Sequence, residues 1–326
     1  MDKPVIALAM GDPAGISPEL TAKVIALKEV REAARIVVVG DRRIYEDGAR
    51  VAGSSATPDD FVERKHADPS GIRRGVPARA GGESALENYR TALRMVADGK
   101  ADAVCFTPFN KQAMRMAEPT YDDEILFTSN VLGFKDLATE FNVLEKLWNA
   151  RVTSHIPLKE VSAALSVDRI VEALRLTAKA LRAAGFEPPR IGVAALNPHA
   201  GDGGNFGREE IDIIEPAVRK AKAQGLPADG PYPADTVFVR AKAGQFDAVL
   251  TMYHDQGQIA MKLLGFDRGV TLLGGYPFPI CTPAHGTAYD IAGLGVANVG
   301  ATRAALLLAA RMAWARRARR AASTAA

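Results

Sequence analysis

Cysteine is nearly absent. Cys105 and Cys281 stand in unrelated contexts, which leaves no disulfide framework and no cysteine metal site. A reducing, cytoplasmic setting is therefore expected. Long apolar runs are also missing. None approaches the roughly 20 residues of a membrane span. The opening "MDKPVIALAMGDPAG" has too short an apolar stretch for a secretory core and reads as a first strand, so no membrane partner is expected. Charge of one sign is not in excess. A net charge of +3 gives no reason to expect nucleic acid. Arg311, Arg316, Arg317, Arg319 and Arg320 are expected to decorate the solvated face of a last helix rather than bind something acidic. Three common site motifs are missing too. "GDPAGI" and "GDGGNFG" lack the GxGxxG spacing of a dinucleotide-binding turn. Neither a GxSxG elbow nor a GxxxxGK[ST] loop occurs.

What is present is an alternation of strands and helices. With 326 residues, 48% hydrophobic and 24% charged, the chain has room for one large or two ordinary domains. "VIALAM" (5–10), "RIVVVG" (35–40), "DAVCFT" (102–107), "ARVTSH" (150–155), "RIGVAAL" (190–196) and "FDAVLTMY" (246–253) read as strands. Amphipathic helices are expected at 83–99, 167–185 and 208–225, and a helix, turn and helix close the chain. Strands separated by helices imply an α/β fold with a mostly parallel sheet. No linker marks a boundary, so two lobes would have to share strands.

Ligands of open parallel sheets bind beyond the carboxyl ends of strands. Of the five histidines, His155, His199, His254 and His285 fall in such loops, and His66 does not. One loop histidine alone is more often a hydrogen-bonded structural residue. Several strand ends finishing the same way point to a three-histidine metal centre open to substrate. The acids have plainer readings beside that one. "REEID" (208–212) reads as acidic charge at a helix N-terminus, and Asp235 as a turn cap. Asp255 beside His254 could orient the imidazole or bind the ion. Gly257 is expected to let the chain turn after the strand.

Taken together, "MGDPAGISPEL", "TPFNK", "SHIPL", "LNPHAGDGGNFGREE", "GPYPADTVF", "YHDQGQIAMK" and "HGTAYDIAGLGVAN" resemble, in order, the 4-hydroxythreonine-4-phosphate dehydrogenase family of vitamin B6 biosynthesis. They run from residue 10 to residue 298. The resemblance implies an isocitrate/isopropylmalate dehydrogenase-like fold of two lobes around a cleft. The approximate lobes are 1–130 with 275–326, and 131–274. It implies a homodimer with a shared active site, NAD or NADP, and a divalent metal (Zn2+ foremost, with Mg2+ or Co2+ as alternatives). The metal would be held by His155, His199 and His254. Lys262, Asp255 and Asp235 fall at catalytic positions, with Lys262 also contacting substrate. His285, Gly286, Thr287 and Ala288 match the segment that contacts the dinucleotide. The implied reaction oxidises a secondary alcohol, and the ketone formed beside a carboxylate then loses CO2.

Departures from the family concern the substrate. Where the family carries Gly-His-Thr-Glu, this chain reads "YDDEIL" (121–126), which puts Asp123 and Glu124 at substrate positions. A family asparagine and arginine fall on Thr271 and Ile280. Loss of an arginine clamp and gain of acids would weaken phosphate binding. The expectation is poor turnover of 4-hydroxythreonine 4-phosphate and better turnover of an unphosphorylated hydroxy acid or cis-dihydrodiol. A non-catalytic binding protein on the same fold is the remaining alternative.

Overall fold

The computed structural model describes residues 2–66 and 68–325. Met1, Ala67 and Ala326 lie outside the described residues. The chain divides into two compact units, residues 1–139 with 267–326, and residues 140–266. The strands of the two units are mostly parallel, as the alternating pattern predicts.

In the first unit the elements are β1 (Val5–Ala9), α1 (Ser17–Ile25), α2 (Lys28–Ala33), β2 (Arg35–Gly40), α3 (Arg42–Ala52) and β3 (Asp60–Glu63), then α4 (Arg79–Ala97), β4 (Ala103–Phe106), α5 (Lys111–Ala117) and α6 (Glu124–Leu132). The second unit contributes β5 (Thr139–Leu144, which starts at the boundary), β6 (Leu147–Arg151), α7 (Val161–Ala164), α8 (Val167–Ala183), β7 (Ile191–Ala194), α9 (Glu215–Ala223), β8 (Ala228–Tyr232), α10 (Ala234–Lys242), β9 (Ala248–Thr251) and α11 (His254–Gly265). The chain then returns to the first unit as β10 (Val270–Gly274), β11 (Ile280–Pro283) and α12 (Gly300–Ala325).

Strand order in the first unit is β3-β2-β1-β4-β11-β10, parallel except where β10 runs against β11. β1 has neighbours on both sides and helices over its faces, which explains its unbroken apolar sequence. α4 lays Leu86, Tyr89, Leu93 and Val96 into a core with Phe106 and Phe127. These helix positions recur at spacings of three and four, one face of a helix. The basic end of α12 is less solvated than its sequence suggests. Arg317 grips both oxygens of Asp102 (2.8 and 2.6 Å), and Trp314 donates to the carbonyl of Ala33.

Strand order in the second unit is β5-β6-β9-β7-β8. β9 lies between β6 and β7 and runs parallel to both. The segments leaving β6, β9 and β7 therefore emerge side by side at one end of the sheet, and these are the segments that carry His155, His254 and His199. Some element bounds differ from expectation. β6 ends at Arg151, so His155 sits in an irregular segment beyond it. Residues 210–214 form a wide helical turn of π type before α9. The stretch after His285 contains only a single 3-10 turn (Tyr289–Ile291) before α12.

Candidate active site

The centre of the candidate site is the exit from β9. His254 is the first residue of α11, so the chain enters the helix without turning at Gly257. Gly257 lies inside α11 and permits close packing instead. A Cβ there would sit 2.2 Å from Oδ1 of Asn149 on β6. The Asn149 amide bridges the two strands beneath, donating to the carbonyls of Ala150 (3.0 Å) and Val249 (3.2 Å) and to Oγ1 of Thr251 (3.2 Å). Gln256 fixes the start of the helix. Its Oε1 accepts from the Met252 N–H and its Nε2 donates to the carbonyl of Ala195 beyond β7, both at 2.7 Å.

His155 is brought to the same place. Thr153 donates from both its backbone N–H and its hydroxyl to the carbonyl of Met252. The buried Arg151 donates from Nε to Ser154 and from its other nitrogens to Asn142 and Glu140. The imidazoles of His155 and His254 are 5.6 Å apart between ring centres. Metal–nitrogen bonds of ~2.0–2.1 Å would place two such rings about 5–6 Å apart around one ion. Nδ1 of His254 is 2.7 Å from Oδ1 of Asp255. With Asp255 accepting from Nδ1–H, the lone pair is on Nε2, the arrangement a ligating imidazole needs. Both residues are partly open to solvent. At this spacing the two imidazoles could serve as two ligands of one ion.

His199 does not join them within one chain. Among the described residues, no group of three or more His, Cys, Asp or Glu converges on a common point. His199 opens a run of left-handed backbone in which His199, Ala200, Gly201, Asp202 and Gly203 all have positive φ. Left-handed conformation costs roughly 1–2 kcal/mol at each non-glycine residue, so something must hold this turn. Glu209 and Glu210 do so, and they are not simply helix-end charges. The buried Glu210 accepts from the N–H groups of Leu196 and Asn197 (both 2.8 Å) and from the Asn197 side chain (2.9 Å). Glu209 accepts from Asn197 (2.7 Å) and from Ser162 (2.5 Å).

The first unit holds the segment matched to the dinucleotide. The carbonyl of Thr287 accepts from the Ile16 N–H (3.0 Å), and a Cβ on Gly15 would lie 2.7 Å from Thr287. The "GDPAG" and "HGTA" segments therefore pack backbone to backbone, which only glycine allows at position 15. His285 and Ala288 are half-buried and Gly286 is exposed. Tyr289 donates to Oδ2 of the buried Asp12 (2.5 Å), whose Oδ1 accepts from the Ala14 N–H. Burial raises the Asp12 carboxyl above its ordinary range, and these bonds only partly offset it.

The substrate positions need correction. Ile280 is fully buried in the core of the first unit and cannot touch a ligand. Its neighbour Thr282 is buried too and donates to the carbonyl of Phe106. Thr271 is half-buried on β10. Asp123 caps α6, accepting from the Leu126 N–H (2.7 Å), and Glu124 pairs with Lys111 (3.4 Å). Both acids have structural partners, which removes the reason to expect that they repel phosphate. Asp235 and Lys262 are exposed on α10 and α11. Sequence reasoning missed Asn149 and Arg151, whose polarity among the apolar Trp148, Ala150 and Val152 was the only hint, and read Glu210 only as a helix-end charge.

The relatives of this chain agree on its chemistry. A Rhizobium meliloti (strain 1021) protein named "Putative 4-hydroxythreonine-4-phosphate dehydrogenase 2" is 62% identical over 331 residues, covering 97% of this chain and 95% of its own. A Halalkalibacterium halodurans protein named "Putative D-threonate 4-phosphate dehydrogenase" is 36% identical, covering 95% of this chain and 97% of its own. The crystal structure of 4-hydroxythreonine-4-phosphate dehydrogenase from Klebsiella pneumoniae superimposes with a TM-score of 0.83 at 34% identity, covering 95% of this chain and 98% of that one. The chain is an oxidoreductase of the dehydrogenase class. The family model described as "Pyridoxal phosphate biosynthetic protein PdxA" matches residues 32–309, and the chain belongs to that family.

Proposed function

We propose that the chain uses NAD(P)+ and a divalent metal to oxidise the secondary alcohol of a phosphorylated hydroxy acid. The substrate is 4-hydroxythreonine 4-phosphate or a close analogue such as D-threonate 4-phosphate. Hydride leaves the carbinol carbon for the nicotinamide, and the hydroxyl proton leaves for a base. The carbon–carboxylate bond of the resulting keto acid then breaks, releasing CO2 and leaving an enolate that takes up a proton. The observation that carries this reading is the meeting of His155 and His254 at neighbouring strand ends, with Asp255 on Nδ1 of His254. His155, His199 and His254 would hold the ion (Zn2+ foremost, Mg2+ or Co2+ as alternatives). Such an ion supplies Lewis-acid polarisation of the reacting oxygen.

The same reading includes a homodimer, which an exposed apolar face supports. Lys262 lies eight residues along α11 from His254, a rise of about 12 Å. Asp255, Ile259 and Lys262 share one face of that helix by their spacing. Ile259 is 63% and the adjoining Leu263 84% exposed, an apolar face suited to a second copy of the chain. A second copy lying there could bring its Lys262 ammonium to the substrate's carboxylate and supply the missing histidine. Asp235 would stand beside the same site. The two units would serve as the lobes of an isocitrate/isopropylmalate dehydrogenase-like enzyme, with His285–Ala288 on the dinucleotide.

The test is NAD(P)H formation, screened with divalent metals over both phosphorylated acids, their unphosphorylated forms and cis-dihydrodiols. An efficiency near or above ~10^4 M⁻¹s⁻¹ on a phosphorylated acid is expected. Turnover confined to unphosphorylated compounds would overturn the substrate assignment. Turnover of none, with no bound metal, would favour a binding protein. His155→Ala and His254→Ala should each lose metal and activity while remaining folded.

A further inference from the structure

The first unit carries a cleft of about 510 Å³ whose lining includes Pro13, Arg43, Asp47, Arg50 and Arg74. That volume suits a ligand of nucleotide size. Its charge is unusual in arrangement. Arg50 and Arg74 each donate one Nη2 bond to Asp47, Arg50 to Oδ1 and Arg74 to Oδ2. Two guanidinium groups thus share one carboxylate. Each guanidinium has five N–H donors, and all three arginine side chains are between two-fifths and seven-tenths exposed. Arg43 is oriented by Asp41, to which it donates from Nε (3.0 Å) and Nη2 (2.6 Å).

The cleft adjoins the segment assigned above to the dinucleotide. Pro13 belongs to the "GDPAG" loop that packs on Thr287. The Gly75 N–H donates to the carbonyl of Ala14 (2.8 Å). The stem of Arg74 lies over Gly293, where a Cβ would be 2.7 Å from Cδ of the arginine.

We propose that this cleft binds the phosphorylated adenosine end of NADP, with Arg50 and Arg74 on the 2′-phosphate and Arg43 at its edge. The inference rests on the cofactor reading above and goes further by choosing NADP over NAD. Paired guanidinium groups match the oxygens of a phosphate monoester two at a time. A free ribose 2′-hydroxyl is instead commonly met by an acidic side chain. The carboxylate in this cleft, Asp47, already has each oxygen engaged by an arginine.

The experiment is calorimetric titration of the full chain with 2′,5′-ADP, 5′-AMP and inorganic phosphate, which needs no substrate and no turnover. We expect 2′,5′-ADP to bind at least about tenfold tighter than 5′-AMP, from at least one charge-assisted bond. The double substitution Arg50→Gln, Arg74→Gln should bring that ratio close to one, and Arg50→Lys should retain part of it. If the double variant fails to fold by circular dichroism, Arg50→Gln alone must lower the ratio. Equal binding of the two nucleotides by the native chain, or a preference that survives substitution, overturns the proposal. Binding of inorganic phosphate alone also overturns it, and would assign the arginines to a phosphate of another source. A chain that reduces NAD and NADP with equal efficiency refutes the proposal and leaves the dehydrogenase reading intact. One that reduces neither refutes that reading instead, while the titration still decides the cleft.

Discussion

Replacing Gly257 with alanine tests how the start of α11 is held. The new Cβ would lie 2.2 Å from Oδ1 and 2.4 Å from both Cγ and Nδ2 of Asn149. Ordinary contact between such atoms is roughly 3.5 Å, so more than about 1 Å must be found. Asn149 cannot swing aside without losing its bonds to Ala150, Val249 and Thr251. The helix must therefore lift from β6. Overpacking of this kind costs about 1–3 kcal/mol. At ~2–4 °C per kcal/mol for a chain of this order, the expected fall in Tm is roughly 2–12 °C. The larger effect falls on function, because His254 and Gln256 move with the helix. A shift of about 1 Å at a catalytic group can cost on the order of a hundredfold in rate. The assays are thermal melting and metal content of the variant after dialysis against trace Zn2+. Adding Asn149→Ala to Gly257→Ala removes the collision but also the three bonds of the Asn149 amide, so the double variant should recover metal content and lose less in Tm than the two single losses add up to. A single variant with unchanged melting and metal content, or a double variant that recovers no metal content, would show that this contact does not set the helix.

Further substitutions probe three other supports. Glu210→Ala should lower stability by about 2–4 kcal/mol, since it leaves the half-buried N–H groups of Leu196 and Asn197 without their acceptor. Glu210→Gln, which keeps one acceptor oxygen, should lose less, and equal melting of the two variants would contradict this. Asp12 has a carboxyl raised above its ordinary value of 3.8 by burial. The native state therefore holds that proton more tightly than the unfolded chain. The stability this contributes is complete below about pH 3.8 and is lost as pH rises through the raised folded value. Asp12→Asn should thus gain in Tm relative to the native chain as pH is raised across that window, and a pH-independent difference would refute the assignment. Arg317→Ala should free the end of α12 and lower Tm by a few degrees, with a larger effect from Asp102→Ala, which also removes the acceptor of the Val5 N–H. Additive losses in the double variant would mean that the pair does not act as a unit.

The strand–helix rhythm and the positions of the histidines were legible because apolar periodicity and strand-end placement are local signals. The adjacency of β6, β9 and β7 was not, because strand order depends on connections across the chain. Gly257 was misread for the same reason. Glycine after a strand usually signals a turn, and its actual role depends on Asn149, far off in sequence. The acids at 209 and 210 sit near a helix start and look like helix-end charges. The backbone N–H groups that donate to Glu210, at 196 and 197, lie a dozen residues upstream, across an irregular loop. The resemblance puts Ile280 at a substrate position, but its apolar type is the better guide to its buried place on β11.

The support of the His199 turn bears on how a complete metal centre can form. One possibility is that the turn swings until His199 reaches His155 and His254. That motion would break the bonds from Leu196 and Asn197 to Glu210 and from Asn197 and Ser162 to Glu209. Two of these acceptor bonds are backbone N–H groups on a buried carboxylate, each worth roughly 1.5–3 kcal/mol. The alternative leaves the turn intact and lets a second copy of the chain supply the remaining ligand, so its cost falls on association rather than on the loop. The second route should prevail, and it predicts that the Leu196 and Asn197 amides stay protected from hydrogen exchange whether metal is present or removed. Metal stoichiometry should then follow dimer content as the chain is diluted. Exchange at those two amides that rises on metal binding, in a chain that remains monomeric, would show that the turn moves.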